Sequence, residues 1–383
     1  MKGGYRMLPL EDLRVCDLSR ILSGPYCTMT LGDMGAEVIK VEPPAGDDTR
    51  GWGPPFIQGE SAYFLSLNRN KKSIVLDLKT EAGKDALWKL IRKSDVLVEN
   101  FRAGALARLG FGFDQVSKRN PRLIYCSITG YGHTGPRASA PGFDVVIQGE
   151  SGAMDVTGFP DGPPVKFGLS IADIVAGMNA VQAILLALRV RERTGHGQHI
   201  DIALLDSLVG CLTYQAQNHF AGGTPKRLGN RHPSIAPYEM FETADGFMNV
   251  GVGNEGLWKK FCAAIGLPDL CKDPRFVSNS DRLRNYDSLR ALLAGKLKTK
   301  SRAEWRRILE EAGVPSGYIN TVGEVFEDPQ IQARGMIAQV NHPTIGSLRL
   351  VGIPIKLSES PGAIRLPPPR LGEHTEEILS SLA

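Results

Sequence analysis

Gly168-Leu-Ser-Ile-Ala-Asp173 opens the longest helical pattern in the chain and closes on a carboxylate. Ser170, with Asp173 three residues on, has the form of a capping box, which would commit Asp173 to a backbone N–H. The same position suits a nucleophile. The positive end of a helix dipole favours an ionised carboxylate, and Gly168 and Gly177 leave room beside it for a substrate. A carboxylate is a weak nucleophile, yet a thioester is an activated acyl donor. Attack by Asp173 would expel a thiolate and leave a mixed anhydride, dividing one exchange into easier steps. Spacing alone leaves both cap and nucleophile open.

The other motifs carry less. Gly251-x-Gly253-x-x-Gly256 matches the dinucleotide fingerprint, with Asp269 and Asp273 near where a ribose-binding acid would fall. It lies far from the first βα unit and precedes a short helix, so a tight strand-to-helix turn is expected instead. His196 and His199 stand three apart, but Gly195 and Gly197 break a helix there and no Cys or acid cluster completes a metal set. A surface turn and no metal are expected. Neither a Gly-x-Ser-x-Gly elbow nor a P-loop occurs. Asn68-Arg-Asn-Lys-Lys72 reads equally as a solvated turn or a phosphate holder.

The elements that must position these groups alternate. β-rich runs at 14–18, 37–42, 73–78, 95–99, 123–129 and 199–203 are separated by helical stretches such as 26–34 and 81–93. This order predicts an α/β fold with a parallel, doubly wound sheet. Ala221-Gly-Gly-Thr-Pro225 reads as a linker to a smaller unit, with helices near 256–264 and 301–312. Pro361, Pro367, Pro368 and Pro369 make the tail an extended strap. Residues 171–190 are apolar but interrupted by Asp173, Asn179 and Gln182, as in a buried helix rather than a membrane span.

The chain's 383 residues can bury a large core, and 42% apolar with 22% charged residues is an ordinary globular balance. A net charge of +4 suits a polyanionic small molecule and is too weak to indicate nucleic acid. Six scattered cysteines read as reduced thiols, and residues 1–12 lack an apolar signal core. A cytoplasmic location, or a mitochondrial matrix if eukaryotic, is expected, with no membrane partner.

Taken together, the residues resemble the class III (CaiB/BaiF, formyl-CoA transferase-like) CoA-transferases, most closely the succinate–hydroxymethylglutarate (glutarate) branch. The resemblance runs nearly end to end, through Asp17-Leu-Ser-Arg-Ile-Leu-Ser-Gly-Pro25, Leu31-Gly-Asp-Met-Gly-Ala-Glu-Val-Ile-Lys-Val-Glu42, Val98-Glu-Asn-Phe101, Gly104-Ala-Leu-Ala-Arg-Leu-Gly110, Gly168–Asp173 and Pro367-Pro-Pro-Arg-Leu-Gly-Glu-His374. It implies a Rossmann-like large domain built from 1–222 and 331–383, a smaller α+β domain at 223–330, and an interlocked homodimer. It places Asp173 on the family's catalytic aspartate and Asn100, Phe101, Arg108 and Leu109 where relatives hold CoA. It puts Lys71 and Lys72 along the adenine and phosphate end. CoA would be a substrate, and no tightly bound cofactor or metal is expected.

Departures from the family pattern narrow the expectation. Leu22 replaces the glutamine of the formyl/oxalyl enzymes, and Gly229-Asn-Arg-His-Pro-Ser-Ile-Ala-Pro237 replaces their glycine-rich loop. Phe143 stands where related racemases carry a catalytic histidine, which weighs against two-base proton exchange. Arg20, Arg50, Arg231, His232 and Ser234 are the candidates for holding the far carboxylate of a diacid. The expected activity is CoA transfer between small dicarboxylates, with a succinyl-CoA-type donor, through an aspartyl anhydride and an aspartyl-CoA thioester. An acyl-CoA racemase and a non-catalytic CoA-binding protein are the alternatives.

Overall fold

The computed structural model describes residues 7–382. Residues 1–6, part of the stretch read as lacking a signal core, and residue 383 lie outside the described residues. The chain divides into two compact units. One holds Met1–Met154, Lys166–Gly223 and Pro329–Ala383; the other holds Asp155–Val165 and Thr224–Asp328. The sequence reading kept 1–222 whole, whereas Asp155–Val165 belongs to the second unit. There the Gly229 N–H donates to the Gly158 carbonyl at 2.8 Å and Arg227 pairs with Asp155 at 3.1 Å. Pro160, Pro163, Pro164, Gly158 and Gly162 erase any periodicity in that stretch, so nothing in the pattern marks the excursion.

Six strands form the sheet of the first unit: β1 (Arg14–Asp17), β2 (Glu37–Glu42), β3 (Lys71–Val75), β4 (Val96–Glu99), β5 (Ile124–Thr129) and β6 (His199–Ala203). Their spatial order is β3-β2-β1-β4-β5-β6, and every pairing is parallel. Parallel strands need cover on both faces, which is why they read as apolar runs. Side chains alternate across them. Val15, Val38, Val96, Val98, Ile124 and Cys126 enter one core; Cys16, Ile39, Leu97 and Tyr125 enter the other.

The first core is closed by α1 (Ser23–Asp33) and by the long helix α4 (Ile171–Thr194); α2 (Glu81–Arg92) closes the second. On α4, Ala172, Ala176, Ala180, Ile184 and Ala187 repeat at helical spacing and face the sheet. By length and composition α4 could cross a membrane; in this fold its alanine face lies on the sheet. Helices α3 (Asp144–Glu150) and α5 (Leu204–Gly210) complete the parts that matter for the site.

β1 and β4 are neighbours from which the chain runs in opposite directions. Such a reversal leaves a crevice at the carboxyl ends of the strands. The loops after Asp17 and Glu99 border it.

The tail crosses the edge of this sheet. Asn70 N–H donates to the Leu366 carbonyl, the Arg365 guanidinium to the Gly32 and Ala36 carbonyls, and His374 N–H to the Ser73 carbonyl. The second unit is α+β. Its sheet Ser316–Tyr318, Phe247–Gly251, Tyr238–Glu242 is antiparallel throughout and packs on Trp258, Phe261 and Trp305. Gly251-x-Gly253-x-x-Gly256 is the turn from this sheet into Glu255–Ala264, capped by Asn254. No parallel βαβ unit surrounds it, so the fingerprint has no dinucleotide frame.

Candidate active site

The turn after β1 is fixed from beneath by buried ions. Lys71 Nζ is fully buried and donates to Asp17 Oδ2 at 3.2 Å, the Pro25 carbonyl at 3.0 Å and Asn68 Oδ1 at 3.0 Å. Lys40 Nζ donates to Asp47 Oδ2 at 2.8 Å and to the Ser19 carbonyl at 2.9 Å. Asp17 also accepts the Thr28 hydroxyl at 2.6 Å. These contacts hold Leu18–Pro25 in one conformation. They also bear on three expectations. Lys71 is an internal counter-ion and does not face a phosphate. Lys72 is tied to Glu377 at 2.7 Å and Glu37 at 3.1 Å. Arg50 grips Glu42 through two 2.7 Å bonds and lies over the Phe64 ring, so its fork is already filled.

Above this floor the crevice opens into a cavity of about 180 Å³, lined among others by Arg20, Ser23, Asn100, Phe101, Phe143 and Asp173. A second, more apolar cavity of about 330 Å³ shares Arg20 and Phe101 with it and adds Leu18, Leu76, Leu78, Leu109 and Lys79. Asn100 joins the two loops: its Oδ1 accepts the Arg20 N–H at 2.9 Å and its Nδ2 donates to the Arg20 carbonyl at 2.7 Å. Arg20 forms an exposed pair with Asp48 at 3.3 Å, a contact weak enough to be exchanged for a ligand. Arg108 lines neither cavity; it stands exposed beside Leu109.

Asp173 occupies the first turn of α4, but the capping box does not form. Ser170 makes no side-chain cap. Asp144 takes over that role, accepting the Ala172 N–H at 2.9 Å while Gln148 donates to its other oxygen at 2.7 Å. Asp173 is thereby released toward the cavity, where the Ser23 hydroxyl bonds to it. Burial and then the nearby Asp144 charge push its carboxyl up to about 7, against the opposing pull of that bond. This opposes the ionisation expected from the helix dipole, because taking the carboxyl out of water disfavours its charged form.

Glycines shape the walls. A Cβ on Gly177 would stand 2.6 Å from the Ser23 carbonyl, so this glycine makes room for α1 rather than for a substrate. Gly168 faces open space. Gly130 and Gly142 approach so closely that a Cβ on either would lie within 2.7 Å of the other's Cα, which brings the Phe143 segment to the rim.

The sequence reading missed Ser23, Asp144, Lys79 and Tyr63. Tyr63 faces Asp173 and Asp144, and burial followed by those charges lifts its phenol to about 12. Ser23 sits inside a motif already quoted and Asp144 directly follows Phe143, but the sequence does not reveal which oxygen meets which. Arg231, His232 and Ser234 belong to the second unit. Arg231 lies over Tyr286 at 4.1 Å, and His232 Nδ1 accepts the Ser234 N–H at 3.1 Å. His199, at the end of the stretch read as a turn and at the start of the run read as a strand, begins β6 and places Nε2 3.0 Å from Ser127 Oγ.

Comparison with known proteins gives a consistent picture. The model of CoA-transferase family III matches residues 10–375. Succinyl-CoA:glutarate CoA-transferase of Mus musculus is 43% identical over 98% of this chain and 87% of its own. Acetyl-CoA:oxalate CoA-transferase of Acetobacter aceti is also 43% identical, over 94% of this chain and 93% of its own. A crystal structure of a CaiB/BaiF family protein from Brucella suis superposes with a TM-score of 0.88 at 45% identity, covering 98% of this chain and all of that one.

Proposed function

This chain belongs to CoA-transferase family III, and on that premise we propose that it moves CoA between small dicarboxylic acids with Asp173 as the nucleophile. The observation that carries the assignment of Asp173 is its release from helix capping into a cavity at the strand-order switch point. In its ionised form an Asp173 oxygen attacks the thioester carbonyl, and the C–S bond breaks to give CoA thiolate and an acyl-aspartyl anhydride. The thiolate then attacks the aspartyl carbonyl, releasing the donor acid and leaving an aspartyl-CoA thioester. The acceptor carboxylate repeats the two steps in reverse order, so no water or external proton is consumed.

The two neighbouring cavities, which share Arg20 and Phe101, suit an extended thioester. The apolar one accommodates the adenosine and pantetheine, with Leu109 in its wall and Lys79 as a free ammonium, and the thioester passes Phe101 to reach Asp173. Arg108 is exposed beside Leu109 and offers a guanidinium fork for phosphate. Arg20, with its exchangeable partner Asp48, holds the far carboxylate of the diacid. Phe143 lines the Asp173 cavity and supplies no proton-transferring group at that position. The dicarboxylate reading draws on relatives named for glutarate and for oxalate, which differ in chain length.

A transfer assay with succinyl-CoA as donor and a panel of mono- and dicarboxylates tests this. Diacids should be preferred, and Arg20→Ala should raise the KM for a diacid while sparing a monocarboxylate. Faster turnover of monocarboxylates would refute the diacid assignment.

A further inference from the structure

Glu99 ends β4, is 4% exposed, and immediately precedes Asn100 and Phe101, the residues that line the Asp173 cavity. Its Oε2 accepts the Phe101 N–H at 2.8 Å, closing a tight turn over Asn100. Asn100 in turn grips the Arg20 backbone, two loops from Asp173. Phe101 is also the partition shared by the two cavities. On its other side Glu99 meets Ser127, its register partner on β5, and Ser127 Oγ lies 3.0 Å from His199 Nε2 on β6. A buried acid is thus connected through a hydroxyl to a half-buried imidazole, a line that crosses three adjacent strands.

We infer that Glu99 is a positioning residue for CoA, its carboxylate latching the Asn100–Phe101 wall through the Phe101 N–H and exchanging its proton through Ser127 and His199. The inference rests on the CoA-transferase reading for the identity of the ligand. It assigns Glu99 no contact with the reacting atoms. In the ionised state Ser127 donates to Glu99 and His199 Nε2–H donates to Ser127. Protonation of Glu99 reverses both donors, and His199 takes the other tautomer. Only the ionised carboxylate gives the Phe101 N–H a charge-assisted bond.

Burial raises the Glu99 carboxyl to about 7, with Asp201 on β6 adding to it and the Ser127 and Phe101 bonds opposing. The other titratable groups that feel Glu99 are Tyr125 and Cys126 on β5. His199 faces His133, Asp201 and Asp114, and burial holds it below its ordinary value, which favours the neutral ring that the relay uses. The latch is therefore tight above pH 7 and slack below.

The test is the Kd of CoA itself, measured by calorimetry from pH 5.5 to 8.5. Wild-type protein, Glu99→Gln, Ser127→Ala and Asp173→Asn would be compared. Titration of the CoA phosphates contributes equally to all four. Wild type and Asp173→Asn should bind about fivefold more weakly at the acid end, the difference between a charged and a neutral acceptor. Glu99→Gln, fixed in the neutral form, should keep the weaker affinity at every pH. At pH 8 it should show a raised KM for the thioester with kcat within about threefold. Ser127→Ala removes a bond to the carboxylate and should move the midpoint to higher pH, a displacement that general loss of structure does not produce. A Glu99→Gln profile that follows wild type, or an unmoved midpoint in Ser127→Ala, overturns the inference. Failure of CoA transfer with these binding profiles intact would refute the transferase reading alone. Transfer with a pH-independent Kd would refute the latch alone.

Discussion

A carboxyl group raised to about 7 is only half ionised where most carboxylates are fully charged, and Asp173 must be ionised to attack. The limb of kcat/KM that reports the free enzyme should therefore rise with pH through about 7 and level off above it. Asp144 is part of the cause, because its charge disfavours a second one nearby. Replacing it with Asn keeps an acceptor for the Ala172 N–H and removes the charge. Asp144→Asn should accordingly shift the limb to lower pH without unfolding the start of α4. An unmoved limb would mean that burial alone sets the ionisation. The sequence placed Asp173 at the start of the right helix, yet its Ser170 partner looked like a cap because the pattern cannot show that Asp144, 28 residues before Ala172, fills that role.

At the scale of the elements, much was legible. Five of the six strands of the parallel sheet lie within the β-rich runs and β3 begins two residues before its run, because strands covered on both faces carry apolar side chains toward each core. The basic run before β3 was ambiguous for a physical reason. Lys71 and Lys72 are adjacent on a strand, so they point to opposite faces, and only the sheet decides that Lys71 goes inward to Asp17. Removing that ammonium leaves a buried carboxylate without its partner. Lys71→Met should destabilise the fold by about 3–5 kcal/mol, whereas Lys72→Met, which breaks partly exposed pairs, should cost about 1 kcal/mol or less. Urea unfolding of the two variants measures both. Lys71→Met with normal stability and selectively weakened CoA binding would restore the phosphate-binding assignment. Gly177 shows the opposite failure of the sequence: a glycine beside a nucleophile suggests space, but this one is pressed against the Ser23 carbonyl.

The whole molecule presents an unfinished surface. Along α4, Met178, Leu185, Leu186 and Val190 are exposed, with Leu186 at 69%. Several large apolar side chains exposed along one helix point to an interface. We propose that a second copy of the chain covers it, in line with the interlocked homodimer that the family resemblance implied. Light scattering on the purified protein should give twice the mass of one chain, and Leu186→Glu should shift it toward the monomer. A wild-type monomer, or a dimer indifferent to Leu186→Glu, would contradict this assignment. The excursion of Asp155–Val165 into the second unit belongs to this scale too, and it escaped the sequence because proline and glycine carry no period to follow.

The central claim is that one carboxylate carries the CoA group in covalent linkage. It is tested most directly by incubating the protein with succinyl-CoA without acceptor, quenching in acid, and mapping the peptides by mass spectrometry. The peptide containing Asp173 should carry CoA less one water, and Asp173→Ala should show neither the adduct nor transfer. An Asp173→Ala variant that still exchanges CoA, with no adduct on the wild-type peptide, would contradict the account.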